Sequence, residues 1–346
     1  MKVDILIPSK DRPAQLHQLL SLINDNVEGI GKITITIQAS DPEYKKGYEI
    51  LQERLENDGN FALLRKNTEI ALMFRSSLKE IVKALDCLGD SKLLLVLTDD
   101  EVFFGKIDFE NNSAINRFLI EKDILSCSLR LGKNITPEVP DTHSYFTRPQ
   151  PNFIEQANDY LVWSWPDNLD TYHWACIFST TGHIYRKDEY IEWFNLFGKD
   201  NFLRIEGSAL KYMVNRSFIV SYFILNMMEY ADMVVEKLLR MFIVINYQPV
   251  FFNTLVKYLY KAKIFSRKNP RIKMISLSQS VTATLDINTS QKWRGVKGNF
   301  IANNLINSKY LDGYIISKDL IPALDFNEPN LRGKSIVLKF VKYSLV

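Results

Sequence analysis

Cysteine is scarce in this chain of 346 residues. Cys87, Cys127 and Cys176 are the only three, all in apolar surroundings, with no C-x-x-C and no His-rich neighbourhood. Nothing there points to zinc or to a disulfide framework, and the thiols read as reduced, buried small hydrophobes. An excess of one charge is lacking as well: 43 Lys and Arg against 40 Asp and Glu leave a net charge of +3. No whole-molecule field selects nucleic acid or anionic lipid, so any such attraction has to come from a local patch. Long clean apolar runs are missing too. The longest, residues 217–228 and then 233–260, is broken by Glu229, Asp232, Glu236, Lys237, Arg240 and Pro249, short of the ~20 residues a transmembrane helix needs. The first eight residues hold too short an apolar run for a signal peptide and place Asp4 inside it, so a cytoplasmic location is expected. Internal repeats and low-complexity tracts are absent.

The composition is that of a folded protein: 46% hydrophobic, 24% charged and 12% aromatic residues are enough to build a sizeable core. The length allows one large α/β domain with an appendage, or two ordinary domains. Strand-like and helix-like periods alternate over the first hundred residues, which predicts a mostly parallel sheet. Residues 3–8 form a short apolar run closed by Pro8, the mark of a buried strand. A polar turn over residues 9–13 follows, and then Leu16, Leu19, Leu20 and Ile23 recur at helical spacing. Residues 33–37 read as a second strand, β-branched and alternating, with a polar exit at Ser40-Asp41-Pro42. Further on, 47–55 predicts a helix, 61–64 a short strand, 71–88 an amphipathic helix and 93–97 the most apolar strand of the chain. Past residue 107, strand signals recur at 125–132, 274–285 and 310–315, and helical ones at 191–197 and 206–214.

The apolar run 93–97 stops at Thr98-Asp99-Asp100-Glu101. Three consecutive carboxylates repel one another and raise each other's pKa values, so a compensating cation is expected. In open α/β sheets the carboxyl ends of the strands line the ligand crevice. Hard oxygen donors there suit Mg or Mn bridging to phosphate. A solvated acidic turn is the competing reading, and the position after a buried strand argues against it. Trp163, Trp165, Tyr172, Trp174 and Tyr185 cluster in sequence; such rings stack on sugars or bases, or fill a core. A basic, aromatic stretch over 257–273 contains no acid and suits a membrane-surface or nucleic-acid patch, or by default a solvated helix face.

The segment Ile5-Leu6-Ile7-Pro8-Ser9-Lys10-Asp11-Arg12-Pro13 followed by a Leu-rich helix resembles the opening of the GT-A glycosyltransferases, in particular the family 2-like enzymes. Thr98-Asp99-Asp100-Glu101 after an apolar strand resembles their DxD metal motif, with Glu in place of the last Asp and with Asp100 offering a second register. The resemblance covers about residues 1–104 and extends weakly to 215. It implies a GT-A, Rossmann-like core at 1–215, with a nucleotide-binding half at 1–104 and an acceptor half at 105–215. A mainly helical, basic extension at 216–346 would pack on that core.

By the same resemblance, Pro8, Ser9, Asp11 and Arg12 of the first turn border a nucleotide-sugar, and Asp41 sits near its base. Asp99, Asp100 and Glu101 bind a divalent cation, Mn or Mg. Arg65 and Arg75 approach the phosphates, with surface ion pairs as the alternative. Acceptor deprotonation needs a placed carboxylate: Glu206 is the first choice and Asp200 the second. Glu206 in a helix's first turn also has the simpler role of complementing the dipole. Trp174, His183 and Tyr185 are acceptor-side candidates, and His183 is also a candidate metal ligand or a hydrogen-bonded structural residue.

The implied activity is metal-dependent, inverting sugar transfer from a nucleotide-sugar to a saccharide or lipid-linked acceptor, as in surface polysaccharide or glycan synthesis. Peripheral contact with the inner membrane surface through 257–273 is a further expectation, and nucleic acid is not an expected partner. A nucleotidyltransferase is disfavoured, because residues 9–13 contain no Gly to cradle phosphates. The alternative from another class is a non-catalytic nucleotide- or glycan-binding module with a degenerate GT-A fold.

Overall fold

The computed structural model describes residues 1–74, 84–135, 150–165, 168, 172–176, 178–195, 273–285, 303–319 and 338–344. At its centre β1 (Val3–Lys10) runs parallel to β3 (Ile30–Gln38) on one side and β5 (Leu93–Val96) on the other, with β4 (Glu69–Phe74) parallel to β3 at the edge. Beyond β5 the sheet continues through β11 (His183–Arg186), β8 (Ile124–Ser128), β12 (Lys273–Leu277), β10 (Tyr160–Ser164) and β9 (Phe153–Gln156), making nine strands. β11 is antiparallel to both of its neighbours, β12 is parallel to β8, and β10 is antiparallel to β12 and β9. The α/β class expected from the sequence is present; the strands of the first hundred residues pair in parallel as expected, and the antiparallel pairs enter with β9, β10 and β11. Three small ladders sit outside it: β2 (Val27–Glu28) with β7 (Ile107–Asp108), β6 (Glu101–Phe103) with β13 (Thr282–Thr284), and β14 (Tyr314–Ile316) with β15 (Phe340–Lys342).

The apolar strands are continuous because both faces of the sheet are covered. Val3, Ile5 and Ile7 of β1 and Leu93 and Leu95 of β5 face one core, while Leu6, Leu94 and Val96 face a second. The first core lies under α1 (Pro13–Asn26) and α2 (Pro42–Asn57). Pro13 opens α1, where its missing N–H costs nothing, and Asp41 caps α2 by accepting from the N–H groups of Glu43 and Tyr44. A shorter helix, α4 (Ser113–Ile120), buries Ala114, Ile115 and Phe118 in the same core. The second core holds the aromatic cluster, including Trp163, Trp165, Trp174, Phe178, Tyr185 and Tyr190.

Three local expectations are corrected. Residues 61–64 are not a strand: a 3-10 turn (Gly59–Phe61) capped by the Asp58 side chain runs into α3 (Ala62–Asn67), which buries Leu64. The helix expected over 71–88 begins instead as β4, because its apolar residues suit either period and β3 offers an open edge that pairs Ile33 to Ile70 and Ile35 to Leu72. The helix placed at 191–197 starts earlier, as α5 (Lys187–Trp193), directly out of β11.

The sheet also does not end at residue 215. β12 is an interior strand of it, and β13 pairs with β6 beside the acidic triplet. The described residues past 215 contain these two strands, the antiparallel β14–β15 pair and one helix, α6 (Asn303–Leu311). Tyr310 of α6 packs over α1, its hydroxyl 3.0 Å from Nδ1 of the buried His17. Residues 206–214, 217–260 and 257–272 lie outside the described residues. Among the described residues, no helix is long and apolar enough to cross a membrane.

Candidate active site

β1 and β5 leave the sheet side by side. Leu6 is in register with Val96, and the Leu97 N–H donates to the Leu6 carbonyl at 3.1 Å. Three residues further along β1 and β5, Ser9 and Asp99 meet. Ser9 Oγ donates to Asp99 Oδ2 at 2.8 Å, and the Lys10 N–H donates to the same oxygen at 3.1 Å.

The chain then turns sharply at Asp11, which has φ 57. That left-handed conformation is one that Asp tolerates better than most residues. The turn is stitched to the end of β3, because the Asp11 N–H donates to the Gln38 carbonyl and Asp11 Oδ1 accepts from the Ser40 N–H at 2.7 Å. It returns Arg12 over the carboxylates. Arg12 Nη1 donates to Asp99 Oδ1 at 3.0 Å and to Asp100 Oδ2 at 2.7 Å. Tyr48 of α2 locks the turn from beneath: its hydroxyl accepts from the Arg12 N–H at 3.0 Å and shares a 2.7 Å hydrogen bond with Ser9 Oγ.

The ion triad is nearly dry, with side-chain exposures of 8% for Arg12, 6% for Asp99 and 9% for Asp100. Burial pushes the Asp99 carboxyl upward, Arg12 opposes it and Asp100 reinforces it. Burial also works against the Arg12 cation, but Asp100 and Asp99 outweigh it and hold the guanidinium above its ordinary value. The compensating cation expected from the acidic triplet is therefore present in the chain itself, as Arg12.

Glu101 does not join this pair. It opens β6, and Oε1 accepts weakly from the Thr98 N–H while Oε2 faces Thr282 Oγ1 at 3.4 Å. Burial pushes its carboxyl up to about 8 against the pull of Arg130, so it is mostly neutral at pH 7. The two acids that share the Arg12 cation are the adjacent Asp99 and Asp100, with Glu101 outside the pair. Both offer an oxygen to a single point, now held by Arg12 Nη1. Two carboxylates, with phosphate oxygens and water, suffice for Mg or Mn, and a nitrogen cation already stands where such an ion would be drawn. The pair fits a divalent cation, although no set of three His, Cys, Asp or Glu side chains that could hold a metal exists among the described residues.

The other expected residues divide into two groups. Pro8 lies in β1 opposite Thr36, level with the site. Asp41 caps α2 at the exit of β3, so its carboxylate is already engaged. Arg65 is turned away from the phosphates' expected place: Nη1 donates to the carbonyls of Leu55 and Asp58, at 2.8 and 2.6 Å, behind α2. Trp174 is core rather than cleft. Its ring lies edge-on to Trp163 and Phe153, and its carbonyl accepts from Trp163 Nε1. Tyr185 is also core, stacked on Phe178 with its hydroxyl donating to the Ser179 carbonyl.

His183 is buried in β11, with Nδ1 2.8 Å from the Thr181 carbonyl. A carbonyl only accepts, so Nδ1 carries the proton and Nε2 is a bare lone pair, with no partner among the described residues. Burial lowers the imidazole to about 3 and keeps it neutral. Arg75, Asp200 and Glu206 lie outside the described residues. Tyr48 was not expected in the site. Its only signal is its place with Leu51 and Leu55 on the buried face of an otherwise polar helix, which marks a core residue and not a hydroxyl aimed at a strand end.

No protein-family model matches the chain, and no curated protein matches it. Among solved structures, S. aureus TarS is similar at 12% identity and a TM-score of 0.35, over 56% of this chain and 30% of that one. TarS 1–349 in complex with UDP-GlcNAc gives 12% identity and 0.31, over 56% of this chain and 47% of that one. The mannosyltransferase PcManGT from Pyrobaculum calidifontis, in complex with GDP-Man and Mn2+, gives 11% and 0.29, over 38% and 36%. This chain therefore spans less than half the length of each of these structures. Likeness at these values assigns no family.

Proposed function

We propose that the carboxyl ends of β1 and β5 form the donor site of a nucleotide-sugar glycosyltransferase with a GT-A-type core. The observation that carries this reading is the convergence of Asp99 Oδ1 and Asp100 Oδ2 on one cation beside the Ser9–Arg12 turn. Two strand-end carboxylates directed at a single positive charge, next to a turn fixed by Tyr48 and Ser40, suit a diphosphate whose charge is matched through a cation. Asp99 and Asp100 would hold Mn or Mg, which when bound offsets the charge left on the diphosphate as the sugar departs.

The chain's own groups supply the rest. Ser9 and the Lys10 N–H keep the Asp99 carboxylate in place, and Asp11 and Tyr48 fix the turn that borders the nucleoside. A carboxylate at Glu206, or else Asp200, would take the acceptor proton in an inverting transfer to a saccharide or lipid-linked hydroxyl. The basic stretch 257–273 would bring the protein to an anionic bilayer carrying such an acceptor. Lys261, Lys263, Arg267 and Lys268 changed to Gln should then reduce liposome binding.

Donor hydrolysis separates the transferase from a binding module. Incubation with a panel of nucleotide-sugars and Mn should release a nucleoside diphosphate from one of them with the wild type and not with Asp100→Asn. Tight binding of a donor that is never hydrolysed, with or without added acceptors, would leave the binding module as the better reading.

A further inference from the structure

We propose that Arg12 is a built-in competitor for the divalent cation, holding the meeting point of Asp99 and Asp100 in the empty enzyme and leaving it for the phosphates when nucleotide arrives. The inference rests on the donor-site reading above and adds to it a loading order: cation and nucleotide enter together, not separately.

Charge and geometry lead to it. A buried carboxylate pair with no cation is strongly disfavoured, and Arg12 meets that need through one nitrogen that touches both acids. The lone pairs it uses are the ones a hard cation would need. A guanidinium and a divalent ion cannot both hold Asp99 Oδ1 and Asp100 Oδ2, because they repel each other and contend for the same oxygens. Arg12 still cannot simply be expelled, since a dry guanidinium without an acid partner is itself costly.

A diphosphate resolves the conflict. It offers the guanidinium fork the oxygen geometry it fits best, and it offers the metal further oxygen ligands. The backbone need not move for this exchange. The Arg12 N–H is pinned to Tyr48 and the Asp11 turn to Ser40, so side-chain rotation is the motion required.

The test is the affinity for Mn alone, measured by calorimetry without nucleotide on wild type, Arg12→Gln and Arg12→Lys. Loss of the competitor should tighten Mn binding in Arg12→Gln by a factor within the range of about 5 to 150 typical of coupled sites, with Arg12→Lys in between. In the wild type, a saturating nucleoside diphosphate should tighten Mn by a comparable factor, and in Arg12→Gln that gain should shrink. Unchanged or weaker Mn binding by Arg12→Gln overturns the proposal. Should that variant fail to fold, Arg12→Lys decides, and wild-type Mn affinity in Arg12→Lys overturns it equally. Failure of the wild type to bind any nucleoside diphosphate at any Mn concentration overturns the donor-site reading itself, and the exchange with it.

Discussion

Asp4 at the amino end of β1 and the Asp99–Asp100 pair at its carboxyl end are both buried acids, each answered by one basic side chain. Asp4 has no exposed side-chain surface, accepts from the Lys32 N–H at 3.0 Å and faces Lys187 Nζ at 3.4 Å. Backbone closes around it: a Cβ at Gly31 or Gly89 would stand 2.3 or 2.7 Å from Asp4 Oδ1. One acid meets one cation there, and the absence of a side chain at Gly31 and Gly89 leaves room for the Asp4 carboxylate. At the other end one guanidinium serves two acids, and burial pushes the third, Glu101, toward its neutral form. The difference between the two ends is stoichiometry. A matched pair is a structural element, and an under-neutralised one favours exchange of its cation for one of higher charge.

The largest effect is expected at Asp99. Asp99→Ala removes the acceptor of Ser9, the Lys10 N–H and Arg12 at once, and should cost about 3–5 kcal/mol by denaturant unfolding as well as nucleotide binding. A variant as stable as wild type would mean that the triad is not formed.

Glu101 sharpens the comparison through pH. Its folded pKa of about 8 lies above the ordinary value of 4.5, so the folded state binds the extra proton and stability falls as pH rises from about 4.5 to about 8. Glu101→Gln should remove that fall, gaining on wild type by about 2 kcal/mol between pH 5 and pH 8 once relaxation around the buried group is allowed for. His17 and His183, both lowered to about 3 by burial, cost stability as pH falls from about 6.5 toward 3. They do so equally in both proteins and cancel in the difference. Parallel stability curves for the two proteins would show that Glu101 ionises normally.

Asp4→Asn is the mildest change. Asn keeps an oxygen for the Lys32 N–H and removes only the partner of Lys187, for an expected loss of about 1–2 kcal/mol. Nucleotide affinity should stay at the wild-type value, and an affinity loss would mean that the two ends of β1 are not independent.

Much of this site was legible in the sequence because it lies at the ends of two apolar strands, and buried strands announce themselves. The runs ending at Pro8 and Leu97 marked two strand ends, and the cost of adjacent carboxylates called for a cation, while the meeting of Ser9 and Arg12 with Asp99 and Asp100 emerges only in the fold. The identity of that cation was not legible: the geometry that returns Arg12 over Asp99 depends on the left-handed Asp11 and on Tyr48, 36 residues from Arg12. Glu101 lies apart from the Asp99–Asp100 pair for a local reason, since β6 begins at that residue and its side chain faces Thr282 of β13. The edge strand β4 was hidden because Ile70-Ala71-Leu72-Met73-Phe74 satisfies either period, and the open edge of β3 decides the outcome. The place of β12 inside the sheet, 145 residues after its neighbour β8 ends and set by long-range pairing, has no local signal at all.

The most direct test of the donor-site claim is calorimetric titration of a panel of nucleoside diphosphates in Mn against wild type, Asp100→Asn and Asp4→Asn. One nucleotide should bind the wild type and Asp4→Asn with equal affinity and fail to bind Asp100→Asn. Retained binding in Asp100→Asn, or loss in Asp4→Asn with the fold intact, would contradict the assignment of the site to the carboxyl ends of β1 and β5.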